Sequence, residues 1–122
     1  MPKLIKITAD AGHGGSDRYN RGPNGYVEAD GNLQRVKLLK TKLEGTGAFQ
    51  VTLTRDCDKS LPLTQRAKIA IAAGADLFIS DHSNAGPADA GGAVVFYSVD
   101  IPEDGRLARM ISANIAAALG IS

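Results

Sequence analysis

Apolar and polar residues along the chain alternate with two different periods, and the changes of period mark the elements. Leu4, Ile5, Ile7 and Thr8 form a short β-type run over Leu4–Ala9, which gives way to the glycine-rich turn Asp10-Ala11-Gly12-His13-Gly14-Gly15. After a polar loop holding Asn20, Gly22, Pro23, Asn24 and Gly25, the apolar positions Leu33, Val36, Leu39 and Leu43 recur at helical spacing, with Leu38 beside them. This predicts an amphipathic helix over 29–44, stopped by Gly45 and Gly47. Phe49–Thr54, with Val51 and Leu53 on one face, predicts a second strand. Pro62 then opens a helix carrying Leu63, Ala67, Ala70 and Ile71, and Gly74 closes it, since proline suits a helix start and glycine the position past its end.

Asp76–Ser80, centred on Leu77-Phe78-Ile79, is the near-continuous apolar run expected of a strand covered on both faces. Ala93–Tyr97 predicts a fourth strand, and 103–119 a last helix with Leu107, Ile111, Ile115 and Leu119 at i, i+4 spacing before Gly120. The order β-α-β-α-β-β-α predicts an α/β fold, a single mostly parallel or mixed sheet with helices on both faces. The link from Asp81 to Gly92 is long enough for a crossover, so length leaves the direction of the fourth strand open. A helix that covers such a sheet normally leads into another strand, whereas only three residues follow the last helix here. The expectation is one domain over 1–122 whose sheet continues beyond Ser122.

Composition narrows the class. The 122 residues are 43% hydrophobic and 22% charged with 14 glycines and no tryptophan, which fits a packed domain and excludes a disordered chain. Fourteen basic against thirteen acidic residues leave a net charge of +1, too little for a nucleic-acid footprint. The one cysteine, Cys57, rules out an internal disulfide, and between Asp56 and Asp58 its thiolate is disfavoured, so it reads as a loop residue. Met1–Thr8 carries an apolar patch interrupted by Lys6 and does not form a signal peptide. No apolar run approaches the about eighteen residues of a membrane span.

The candidate chemistry sits where strands end. The chain has two histidines, His13 in the turn after the first strand and His82 just past the third, in Ser80-Asp81-His82-Ser83-Asn84. Ligands of open α/β sheets bind outside the carboxyl ends of strands, so the pair could face one crevice, although a lone loop histidine is more often a surface or capping residue. Zinc suits two imidazoles and one carboxylate with an open fourth position. Glu28, where the glycine-containing loop meets the first long helix, is the carboxylate candidate; the competing reading is a helix-start acid favoured by the helix dipole. Gly12-His13-Gly14 imitates a nucleotide loop, but the third fingerprint position is Asp17 and no Gly-Lys-Ser/Thr follows. Ser83 has no nucleophile-elbow context.

The stretch from Ile7 to Gly15, Glu28 followed by Asn32, Val51 to Arg55, Leu63 and Arg66 ahead of Ala75 to Ser80, and His82-Ser83-Asn84-Ala85 with Gly91-Gly92 occur in one order. Together they resemble the zinc-dependent N-acetylmuramoyl-L-alanine amidases of the type 3 group, over residues 4 to about 119. The resemblance implies one zinc ion on His13, Glu28 and His82, and cleavage of the amide between N-acetylmuramic acid and L-alanine in peptidoglycan. It also implies a second glutamate as general acid/base, on a late strand beyond the last helix. No residue of this chain corresponds to it: Glu44 and Glu103 belong to helix ends, and Asp81, where the family carries an apolar residue, points away from His82 on an extended backbone. The alternative expectation is therefore a wall-binding or regulatory module that keeps the zinc site without catalysis. Lack of a leader suits a protein made in the cytoplasm that reaches the wall on phage lysis or during sporulation, with a separate wall-binding domain in the native protein.

Overall fold

The computed structural model describes residues 3–83 and 92–121. By its internal contacts the chain divides into two compact units, Met1–Ala85 and Gly86–Ser122. The first unit holds β1 (Ile5–Ala11), a short 3-10 turn at Pro23–Gly25, α1 (Glu28–Gly45), β2 (Phe49–Leu53), α2 (Leu63–Ala72) and β3 (Leu77–Asp81). The second holds α3 (Asp104–Leu119), which ends on Gly120 in the left-handed conformation expected of a helix stop.

Among the described residues the sheet is three-stranded and wholly parallel, in the order β2-β1-β3. β1 lies in the middle, with Ile5 to Ala9 paired to Phe49 to Leu53 and Ile7 to Ala11 paired to Leu77 to Asp81. Pairing with β3 carries β1 two residues past the predicted end at Ala9 and through Asp10 and Ala11, which the sequence placed in the turn.

Alternation along β1 assigns the two faces. Ile7, Ala9 and Ala11 point to one side, where they form the core with Val36 of α1 and Val51 of β2, and Leu33, Leu39 and Leu43 pack against it. Side chains of this size contribute about 1.5–3 kcal/mol each when fully buried, and the two alanines let α1 approach closely. Thr8 and Asp10 point to the other side, and there Arg66 of α2 reaches the Asp10 carboxylate. The helices thus cover opposite faces, as right-handed crossovers to opposite sides of β1 require. α2 buries Arg66 and Ala70, while the apolar Leu63 and Ile71 are exposed.

β2 is an edge strand whose outward backbone is capped by α1. Glu44 Oε2 accepts from the Val51 amide at 3.0 Å, and Lys40 Nζ donates to the Val51 carbonyl at 2.6 Å and to Glu44 at 3.0 Å. The ion pair stands in for a neighbouring strand and blunts the edge.

The predicted fourth strand is corrected. Residues 93–97 carry no strand pairing among the described residues, and Val94 and Phe96 are exposed. Their alternating apolar pattern suits a pleated surface, but a strand exists only where partner backbone satisfies its amides and carbonyls. Among the described residues no helix is long and apolar enough to cross a membrane.

Candidate metal centre

The strand order brings the two histidines together. In a 2-1-3 sheet the chain moves outward from β1 in both directions, so the crevice at the carboxyl ends of β1 and β3 is the topological switch point at which ligands bind. Ala11 pairs with Asp81, and the Gly12 amide extends the ladder to the Asp81 carbonyl at 3.1 Å. His13 and His82 follow immediately, with ring centroids 5.0 Å apart and planes 87° to one another. Gly12 has to be glycine here, because a Cβ at that position would overlap the His82 ring.

His13 is held from several sides. Its backbone is left-handed, at φ 63°, which a non-glycine residue keeps only where its surroundings impose it. The reciprocal Gly14–Asp17 backbone bonds close the turn, and Arg66 Nη2 donates to the His13 carbonyl at 3.0 Å. His13 Nδ1 lies 2.8 Å from Asp17 Oδ2, and Asn20 Nδ2 lies 3.0 Å from His13 Nε2. Since a carboxylate only accepts and an amide nitrogen only donates, this network puts the ring proton on Nδ1 and leaves Nε2 as an unprotonated acceptor of the Asn20 N–H, which a metal on Nε2 would displace.

Glu28 enters from the first turn of α1 and is 6% exposed. One oxygen, Oε1, is 3.4 Å from His13 Nε2 and 3.3 Å from His82 Nδ1, and accepts from the Ser83 amide at 2.9 Å. Burial pushes the carboxyl pKa up, but the Ser83 amide, Asn32 and the histidines outweigh it and hold Glu28 below its ordinary value. Asn32, one turn along α1 and fully buried, donates to the Gly12 carbonyl at 3.1 Å.

Two buried arginines support the turn. Arg55, 2% exposed, donates to the carbonyls of Ala11, Gly12 and Ala29, tying the end of β1 to the start of α1. Arg66 donates to the carbonyls of Leu61, Ala11 and His13 and pairs with Asp10 at 2.8 Å. Asp10 also accepts from Thr54 and Ser80, each at 2.7 Å.

His13, Glu28 and His82 each offer one ligand atom, and these atoms all lie within 4.8 Å of one another. Two imidazoles and a carboxylate form a donor set used by hydrolytic zinc sites, and an ionised glutamate beside an unprotonated imidazole nitrogen fits a divalent cation. The His82 side chain is 45% exposed, so the cluster opens to solvent. Asp81 does not join it and is bound by Arg35 at 2.8 Å. Glu44 lies at the far end of α1 and is taken up by Lys40 and Val51, while Cys57 is an exposed free thiol. Asn84, Ala85 and Gly91 lie outside the described residues. The supporting roles of Asp17, Asn20, Arg55 and Arg66 were not assigned from sequence; for Asn32, its i, i+4 spacing from Glu28 on the buried stripe with Val36 was the available signal.

Comparison with known proteins supplies the context. A family model described as N-acetylmuramoyl-L-alanine amidase matches residues 7–122. The endolysin of Bacillus phage SPP1 is 45% identical over 91 residues, covering 75% of this chain and 32% of that protein. The N-acetylmuramoyl-L-alanine amidase LytC of Bacillus subtilis is 38% identical over 117 residues, covering 93% of this chain and 23% of that protein. The chain thus spans about a quarter to a third of these two relatives. The crystal structure of an N-acetylmuramoyl-L-alanine amidase from Clostridium difficile 630 superposes with a TM-score of 0.77 at 28% identity, covering 93% of this chain and 63% of that one.

Proposed function

This chain belongs to the N-acetylmuramoyl-L-alanine amidase family, and on that basis we propose that it carries the zinc centre of a peptidoglycan amidase, which cleaves the amide between N-acetylmuramic acid and L-alanine. The observation that carries the reading is the meeting of His13, Glu28 and His82 at the carboxyl ends of β1 and β3, inside the stretch that matches the family. These three residues would hold the metal. When bound, it supplies a Lewis acid that activates water near neutral pH and polarises the amide carbonyl.

The chain's own residues prepare that centre. Asp17 keeps the His13 proton on Nδ1, the carboxylate–histidine arrangement that fixes ring orientation. The Ser83 amide and Asn32 keep Glu28 ionised and aimed between the imidazoles. Glu28 would therefore serve as a ligand, and the proton for the leaving amine would have to come from a separate acid; among the described residues no other carboxylate joins the donor group. The substrate is a muramoyl peptide of the cell wall, and the wall is where the protein acts.

Gly12→Ala tests the packing of the centre. The added methyl displaces the His82 ring, so zinc affinity, read by competition with a chromophoric chelator, falls at least about tenfold while the circular dichroism of the fold is kept. Unchanged affinity would show that the His82 ring position is not needed for binding.

The reaction itself is read from purified peptidoglycan incubated with the zinc-loaded full chain, by mass spectrometry of released peptides and labelling of new L-alanine amines. Release that is lost in His82→Ala supports the amidase. Among the described residues, Glu28 is the one carboxylate in the three-residue donor group, and this favours a second reading, a zinc-holding wall-binding module without hydrolysis. Wall binding by the zinc-loaded chain with no new L-alanine amine would select it.

A further inference from the structure

We propose that Arg35 is a positioning residue of this centre, clamping the chain on both sides of His82 to α1 so that His82 and the Ser83 amide meet Glu28. The inference rests on the metal reading of His13, Glu28 and His82.

Glu28, Asn32 and Arg35 stand at i, i+4 and i+7 on α1 and so form one polar row facing the end of β3. Arg35 Nε donates to Asp81 Oδ1 at 2.8 Å, and Nη2 approaches the same oxygen at 2.7 Å. Nη2 also donates to Ser83 Oγ at 3.1 Å and to Asn32 Oδ1, and Nη1 donates to Tyr26 Oη at 3.2 Å. Tyr26 Oη and Ser83 Oγ are themselves hydrogen-bonded at 2.8 Å. The residue before His82 and the residue after it are thus both gripped by one guanidinium. Asn32, which Arg35 also grips, donates to Glu28.

Two features separate this clamp from a binding group for an incoming anion. Every nitrogen of the Arg35 guanidinium already has an acceptor and only one Nη1 N–H is left over, so a substrate carboxylate could grip it in two-pronged fashion only by dismantling the bracket. Tyr26 is seated to take part, its ring lying over Gly31, where a Cβ would come within 2.8 Å of Cε2 and Cζ. The clamp also accounts for Asp81. Its charge, at a position where the resemblance leads one to expect an apolar residue, is met by Arg35 across the gap between β3 and α1. Lysine could not replace Arg35, because a single ammonium cannot span Asp81, Ser83 and Tyr26 in one plane.

The sign of the effect discriminates positioning from electrostatics. If Arg35 acted only through charge, removing it would relieve repulsion of a cation and tighten zinc binding. As a positioning residue, Arg35→Leu weakens zinc binding by about 10- to 100-fold, the loss typical of partners that orient metal ligands. The measurement is chelator competition on the full chain, at a temperature where circular dichroism shows each variant folded, so that a change in stability alone does not move it. Arg35→Lys keeps the charge and loses the bracket, and it too weakens binding; it serves if Arg35→Leu does not fold. Zinc affinity at or above that of the unsubstituted chain, in Arg35→Leu or in Arg35→Lys, would overturn the inference and leave the metal centre standing. An unsubstituted chain that binds no zinc would overturn the metal reading and the inference with it.

Discussion

Zinc retained by the full chain after dialysis is expected to fall to background when His82 is replaced by alanine, and again when His13 is. The metal reading places one ligand on each residue, so either substitution leaves a single imidazole and Glu28, with the carboxylate no longer balanced from one side. The loss exceeds the about 10- to 100-fold that supporting partners cost, because a coordinate bond itself is removed. The fold should survive in His82→Ala, since that side chain is 45% exposed and substitutions at such surface sites usually move stability by about 0.5 kcal/mol or less. Unchanged zinc stoichiometry in both variants would mean that the metal binds elsewhere.

The second large effect is on stability. Asp10→Asn removes the charge that answers Arg66 in a nearly water-free setting, the two residues being 3% and 5% exposed. Breaking one side of a buried pair costs about 3–5 kcal/mol, because the remaining charge stays buried without its partner. The carbonyls that also accept from Arg66 moderate the penalty without supplying a counter-charge. Burial pushes the Asp10 carboxyl up, but hydrogen bonds from Ser80, Arg66 and Thr54 outweigh it and hold the carboxyl below its ordinary 3.8. A depressed folded-state pKa means that this stabilisation is present above 3.8 and is lost as pH falls through the folded value. Urea unfolding from about pH 5 to about pH 2 should therefore show the wild-type advantage over Asp10→Asn shrinking toward the acid end. A constant difference across that range would contradict the assignment.

The elements were legible where periodicity and punctuation agreed. Leu33, Val36, Leu39 and Leu43 announced α1, because burial of one face leaves a period in the sequence. The Leu77-Phe78-Ile79 run announced β3 as a strand, but the expected cover on both faces is corrected: β3 is an edge of the described sheet and Phe78 is 43% exposed. Two histidines just past strand ends could be read as a pair, yet local pattern does not say which strands adjoin. Their meeting depends on the crossover from β2 past β1 to β3. The same long-range pairing carried β1 through Asp10 and Ala11. At 93–97 the local pattern predicted a strand that does not form among the described residues, because a strand needs a partner that no local window contains. The supporting arginines were unreadable for a related reason. Arg66, between Gln65 and Ala67 in α2, has the look of a solvated side chain, and only the carbonyls and carboxylate brought to it by the tertiary fold make its burial favourable.

X-ray absorption at the zinc edge of the zinc-loaded full chain tests the metal centre most directly, because it reads the ligand atoms themselves. A site made by His13, Glu28 and His82 gives two imidazole nitrogens at about 2.0–2.1 Å and carboxylate oxygen at about 2.0–2.2 Å. A sulfur scatterer at about 2.3 Å, which only Cys57 or a methionine could supply, or a shell without imidazole, would contradict it.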